Sequence, residues 1–119
     1  MSELDYFGKR LIEEVRDRVI RGMKLRMQGQ MKDIDSKKLE ENISVLNENG
    51  RQIIENIIQQ TVDLALHNIL CLIDEDKYIN ITVNGKSISD VSDGLSGELY
   101  TEDGWIQRYS KESTVGDCI

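Results

Sequence analysis

Residues 53–89, IIENIIQQTVDLALHNILCLIDEDKYINITVNGKSIS, contain the change of period that decides the fold. Up to Ile73 the stretch is apolar on most sides, through Ile53, Ile54, Ile57, Ile58, Val62, Leu64, Leu66, Ile69, Leu70, Leu72 and Ile73, which predicts the central, most buried helix. The run Asp74-Glu75-Asp76 stops it, because carboxylates are unfavourable at the negative end of a helix dipole and natural in a turn. Beyond that run the period becomes two. Ile79, Ile81 and Val83 alternate with Asn80 and Thr82, and Asn84-Gly85 leads into Ser87 and Ile88. An Asn-Gly pair between β-type runs is the strongest short hairpin signal.

Upstream the spacing is helical. From Ser2, a capping residue with Asp5 three positions later, apolar residues recur at Leu4, Phe7, Leu11, Val15 and Val19, with Gly8 and Ile12 beside the stripe. Past Val19 a strict continuation turns Arg26 inward and leaves Ile20 on the opposite face, so bending or fraying is expected between Gly22 and Gly29. After a polar link at residues 33–36, Leu39, Ile43 and Leu46 run in phase with Ile53 and Ile57. One reading is a single helix over residues 36–74, which at 1.5 Å per residue reaches ~57 Å and overhangs a domain of this size. The other, adopted here, ends a helix at residues 47–49, uses Gly50 as a left-handed cap and starts another at once.

Downstream, residues 92–104 (SDGLSGELYTEDG) are turn chemistry without a proline, and residues 105–109 predict a third strand. The expected fold is α+β, with two or three N-terminal helices forming a layer packed on a small C-terminal antiparallel sheet of about three strands. Residues 1–112 make a single domain, and residues 113–119, which lack periodicity, a loose tail.

A chain of 119 residues with 39% hydrophobic and 31% charged residues lies well away from the composition of disordered chains. Residues 64–73, interrupted by His67 and Asn68, fall far short of a membrane span, and the N-terminus lacks a basic region followed by an apolar run. A cytoplasmic protein without a membrane partner is the expectation. Cys71 and Cys118 form no CxxC pair and no disulfide framework, and Cys118 stands second from the end, where prenylation needs it fourth. The net charge of −7 is uneven: +2 over residues 1–34, −6 over residues 35–76 and −3 over residues 77–119. Such a field disfavours nucleic acid and speeds encounter with a basic protein.

Tests for chemistry give little. His67 and Cys71 share a helix face at i, i+4, yet a zinc site or a Cys-His nucleophile needs further groups that the sequence does not place beside them. They read as structural, and no metal or cofactor is expected. Taking Gly94 as the sixth position of a calcium loop puts Val91 third and Tyr100 twelfth, so oxygen ligands are missing, and Gly94-Leu95-Ser96-Gly97 is one residue short of a nucleophile elbow. Phosphate-loop and dinucleotide fingerprints are absent. Arg16, Arg18, Arg21, Lys24, Arg26 and Lys32 spread around a helix, with Arg16 and Lys24 pointing outward, and read as a solvated surface paired with the chain's own acids.

Acid, glycine and aromatic residues gather at one place. Asp90, Asp93, Glu98, Glu102 and Asp103 form a rim around Tyr100 and Trp105, an arrangement that suits recognition of a basic protein. The expected function is therefore a small acidic, non-catalytic protein-binding module. In size, acidity and architecture the chain is similar to the small immunity proteins that neutralise bacterial toxins, a likeness of type that many unrelated folds share. Two other classes stand beside it: a small enzyme using the carboxylates of residues 90–103, and a structural subunit of a homo-oligomer paired along residues 39–57.

Overall fold

The structure, a computed structural model, describes residues 1–112, and the tail at 113–119 with Cys118 lies outside the described residues. Helix α1 (Glu3–Leu11), a π-helical turn (Ile12–Arg16) and α2 (Asp17–Met27) run on as one N-terminal helix, followed by α3 (Ile34–Ile43) and the long α4 (Glu48–Glu75). The strands β1 (Thr82–Val83) and β2 (Lys86–Ser87), a 3-10 turn (Leu95–Gly97) and the short helix α5 (Trp105–Tyr109) follow. The chain is thus mostly helical, with one small antiparallel sheet after the helices. No helix among the described residues is long and apolar enough to cross a membrane.

Local chemistry sets the boundaries. Ser2 Oγ accepts the Asp5 N–H at 3.0 Å, the Asp33 carboxylate accepts the Ser36 N–H at 3.1 Å, and Asn47 Oδ1 accepts the Gly50 N–H at 2.8 Å. Each caps the start of a helix by satisfying a donor that the helix leaves free. Gly29, at φ 77°, closes α2: the Gln30 N–H reaches the Leu25 carbonyl at 2.9 Å and the Gly29 N–H reaches that of Arg26 at 3.3 Å. This is the double bond pattern of a Schellman ending, so Gly29 terminates the helix, and Gly22 lies within it. At the hairpin, Asn84 and Gly85 both have positive φ, 50° and 80°, which matches the tight turn expected of the pair. Thr82 pairs with Ser87 and Val83 with Lys86.

Four expectations from patterning require correction. The predicted third strand is α5, and the sheet has two strands. Trp105 and Ile106 are adjacent and both buried, which a strand would send to opposite faces and one helical turn can send inward together. Gly50 lies inside the first turn of α4 and is no left-handed cap; the break falls earlier, between Ile43 and Asn47, and it divides the apolar series at 39–57. In the N-terminal helix the π-helical turn places an extra residue in one turn, so the inward face passes from Ile12 to Arg16, Asp17, Ile20 and Met27, and Val15 and Val19 face outward. Arg16, expected to point outward, is fully buried.

The fourth correction concerns α4. It buries Gln59, Leu66, Leu70 and Ile73 on one face and leaves Ile53, Ile57, Leu64, Ile69 and Leu72 exposed. A chain this short has too little material to wrap a helix of 28 residues on all sides. The core therefore joins one face of α4 to Ile12, Ile88, Leu95, Leu99, Trp105 and Ile106. Trp105 sits at its centre, edge-on to Phe7 with ring centroids 5.8 Å apart and planes at 78°. Gly8 makes room for it, since a Cβ there would overlap the indole.

Two glycines on one helix should consequently respond with opposite signs. Gly8→Ala forces a methyl into the indole and is expected to cost about 1–3 kcal/mol or more, whereas Trp105→Ala costs about 3–5 kcal/mol. Gly22→Ala, which meets open space, is expected to add about 0.5–1 kcal/mol. Urea unfolding of the three variants measures all three, and an unaffected Gly8→Ala would contradict the packing described.

Candidate functional site

An open groove of about 700 Å³ runs along α4 opposite the turn at residues 99–101 and α5. Helix α4 supplies Ile57, Gln59, Gln60, Thr61, Asp63 and Leu64; the facing wall is Leu99, Tyr100, Thr101, Ile106 and Gln107. Ile57, Leu64 and Tyr100 are 56%, 58% and 54% exposed, so the rim is broad and apolar. Leu99 and Ile106 add apolar surface, amides and hydroxyls line the rest, and Asp63 is the one carboxylate in the lining among the described residues.

Asp63 is already committed. Its carboxylate accepts Arg16 Nε at 2.6 Å and Nη2 at 3.3 Å, and its backbone carbonyl accepts the Tyr100 phenol at 2.9 Å. The buried guanidinium also donates to Asp17 at 3.2 Å and to Ser110 Oγ at 2.7 Å. Asp17 is completed by Ser110 Oγ at 2.8 Å and the Lys111 N–H at 2.7 Å. Every charge is thus paired and hydrogen-bonded, the condition under which burial of an ion cluster is tolerated. Asp63 joins this cluster to the groove wall through Tyr100.

Burial pushes the Tyr100 phenol above its ordinary value, the Asp63 charge adds to this, and Arg16 partly offsets it. The neutral phenol is the form that donates to the Asp63 carbonyl. Tyr100 also lies 5.7 Å, centroid to centroid, from the His67 ring, whose Nε2 is 3.5 Å from Cys71 Sγ. The pairing of His67 with Cys71 is present, but no group of three His, Cys, Asp or Glu side chains able to hold a metal occurs among the described residues.

The residues singled out from sequence differ in their settings. Tyr100 lines the groove, and Glu102 and Asp103 are exposed on the turn that follows it. Glu98 is half-buried and accepts Ser92 Oγ at 3.0 Å; Asp90 and Asp93 are exposed on the segment between the hairpin and the 3-10 turn. Trp105 is corrected outright: at 0% exposure it is a core residue and presents no surface to a partner. The α4 half of the groove was invisible in the pattern, although Gln59-Gln60-Thr61, a polar step inside an apolar run, is the signal that could have found it. Asp74, read as a helix stop, does more: its carboxylate accepts the Leu95 and Ser96 N–H groups at 3.1 Å each, pinning the 3-10 turn to the end of α4.

No protein-family model, curated protein or solved structure matches the chain.

Two measurements test the site. Arg16→Met leaves the buried Asp17 and the half-buried Asp63 without their counter-ion and is expected to cost about 3–5 kcal/mol in chemical denaturation. A raised phenol value means that the folded protein holds the Tyr100 proton more tightly than the unfolded chain. The stability this gives is fully present below the ordinary tyrosine value of about 10 and is lost as pH rises through the folded value. Melting temperatures between about pH 9 and pH 11 should therefore fall more steeply for the wild type than for Tyr100→Phe. Parallel curves would show that Tyr100 titrates as a free phenol.

Proposed function

We propose that the protein is a non-catalytic protein-binding module that receives an amphipathic, basic segment of a protein partner in the groove along α4. The carrying observation is the open apolar rim of Ile57, Leu64 and Tyr100 beside a groove whose only carboxylate among the described residues is paired internally. An apolar ridge lying in such a groove is a recurrent mode of helix recognition. The exposed Glu102 and Asp103, next to the groove-lining Tyr100 and Thr101, supply the acidic flank, and the net charge of −7 steers a basic partner toward it. Binding is favoured over catalysis because Asp63, the carboxylate that lines the groove, is held by two hydrogen bonds from Arg16 and is poorly placed to move a proton. Neutralising or regulating that partner is the role we assign to this binding.

A photo-crosslinking amino acid at Gln60 in native cells tests this reading. One discrete adduct with a basic protein is expected. Leu64→Asp should abolish it while leaving the melting temperature nearly unchanged, because Leu64 is exposed. With the purified partner, Leu64→Asp should weaken binding at least ~10-fold, and reversal of charge at Glu102 and Asp103 should slow association and flatten its salt dependence. An adduct with a second copy of the chain, or an adduct pattern that Leu64→Asp does not change, would overturn the proposal.

A further inference from the structure

The exposed face of α4 extends beyond the groove at both ends. Among the described residues, those of α4 exposed between Arg51 and Asp74 are all uncharged, and Glu55 and Asp63 are turned partly inward. Exposed helix faces ordinarily carry charge, and 31% of this chain is charged. The apolar members Ile53, Ile57, Leu64, Ile69 and Leu72 are 49–58% exposed. From Ile53 to Leu72 the face is about 29 Å long at 1.5 Å per residue. Uncovered apolar surface of such extent marks an interaction site. Ile53, Ile69 and Leu72 do not line the groove, so the groove is one section of a longer surface.

The two ends of the face differ in charge. At its start Glu48 and Arg51 are both exposed and offset one another. At its end stand Asp74, Glu75 and Asp76. Asp74 accepts two N–H groups of the 3-10 turn, Asp76 accepts the Tyr78 N–H at 2.8 Å, and the Lys77 ammonium turns over the Tyr78 ring. Glu75 is exposed. It lies eighteen residues beyond Ile57, which is five helical turns, and so continues the line of Ile57 and Leu64. A carboxylate in the last turn of a helix opposes the helix dipole, and a cation laid over it offsets both.

These constraints define the occupant. The backbone of α4 is bonded within the helix and offers no edge to an extended chain, so the partner must satisfy its own backbone, as a helix does. Apolar residues at i, i+4 and i+7 give such a helix the ridge that fits this face. A second copy would bring a further charge of −7 to the same surface, which favours a basic protein instead. We propose that α4 takes a partner helix of about five turns along its full exposed face, with the lysine- or arginine-bearing end of that helix over Glu75. This rests on α4 being the protein-binding element, and it adds the length of the partner segment and the end at which its charge sits.

The test uses the full chain, ¹⁵N-labelled, with two synthetic peptides of about 20 residues that share a stripe of leucine and alanine at helical spacing. One carries lysines at its N-terminal end and the other at its C-terminal end, each with a nitroxide beside the lysines. Both are expected to give saturable shifts along α4 and to broaden the amides of residues 72–78, so that the basic end sets the direction. Leu72→Gln and Glu75→Lys should each weaken both peptides at least ~3-fold. The melting temperature of Glu75→Lys should stay equal or rise, which separates lost binding from lost folding. Broadening of residues 49–53 as strong as that of 72–78, absence of saturable shifts, or unchanged affinity in either variant overturns the inference. A wild-type dimer that Leu72→Gln dissolves assigns the face to a second copy, and retention on phosphatidylcholine vesicles assigns it to a membrane surface; either overturns it. The two proposals fail separately. A partner crosslinked at Gln60 and lost on Leu64→Asp, yet held equally by Leu72→Gln and Glu75→Lys, contradicts only this inference, whereas peptide binding without any crosslinked partner contradicts the function.

Discussion

The buried guanidinium of Arg16 holds the molecule's separate parts in register. It meets Asp17 on its own helix, Asp63 on α4 and Ser110 beyond α5, so one cation ties the two ends of the described chain to the central helix. A cation fully removed from water is tolerated only with its charge matched and its donors engaged, and here Ser110 and the Lys111 N–H complete Asp17. The π-helical turn is what brings Arg16 inside. In an uninterrupted α-helix the apolar series of Leu4, Phe7 and Leu11 would continue inward through Val15; the extra residue in the turn replaces it with Arg16 and Asp17.

That cluster also shapes the groove. The carboxylate of Asp63 faces Arg16 while its carbonyl holds the Tyr100 phenol, so the buried charge and the facing wall are fixed by one residue. A second connection runs through Asp74, whose carboxylate gathers two backbone N–H groups of the 3-10 turn. On the far side Trp105 fills the core under Gly8, and Arg108 reaches Asp5 at 3.1 Å, which holds the Asp5 carboxyl below its usual range through that hydrogen bond. The wall formed by residues 99–107 is thus anchored to α1, α4 and the core. A groove with rigid walls loses little ordering entropy when it is occupied, which favours its use as a preformed site.

The surface chemistry is divided in a way that suits this reading. Charge is spread over the outside of the molecule, but the α4 wall of the groove offers apolar side chains, amides and one neutralised carboxylate. Apolar contact there can provide affinity, while the acids on the neighbouring turn act at longer range on the rate of encounter. Exposure of Ile57 and Leu64 is the structural counterpart of α4 having a partner on one side only.

Sequence alone determined the features governed by near neighbours. Ser2 caps α1, Asn84-Gly85 makes the tight hairpin, and the acidic run at residues 74–76 ends α4, because each depends on groups within a few residues of chain. Tertiary structure decided the remainder. Trp105 could have been a surface anchor or a core residue, and only the space left by Gly8 and the face of Phe7 places it inside. Ile53, Ile57 and Leu64 could have been core, but which face of an apolar helix is covered depends on how much chain is left to cover it. Arg16 reads as a surface charge in the sequence, since its partners Asp63 and Ser110 lie 47 and 94 residues away and a change of helical pitch turns it toward them. The candidate site belongs to this second class: Tyr100 was legible as an aromatic in an acidic turn, whereas the α4 wall acquired meaning only when α4 came to lie against that turn.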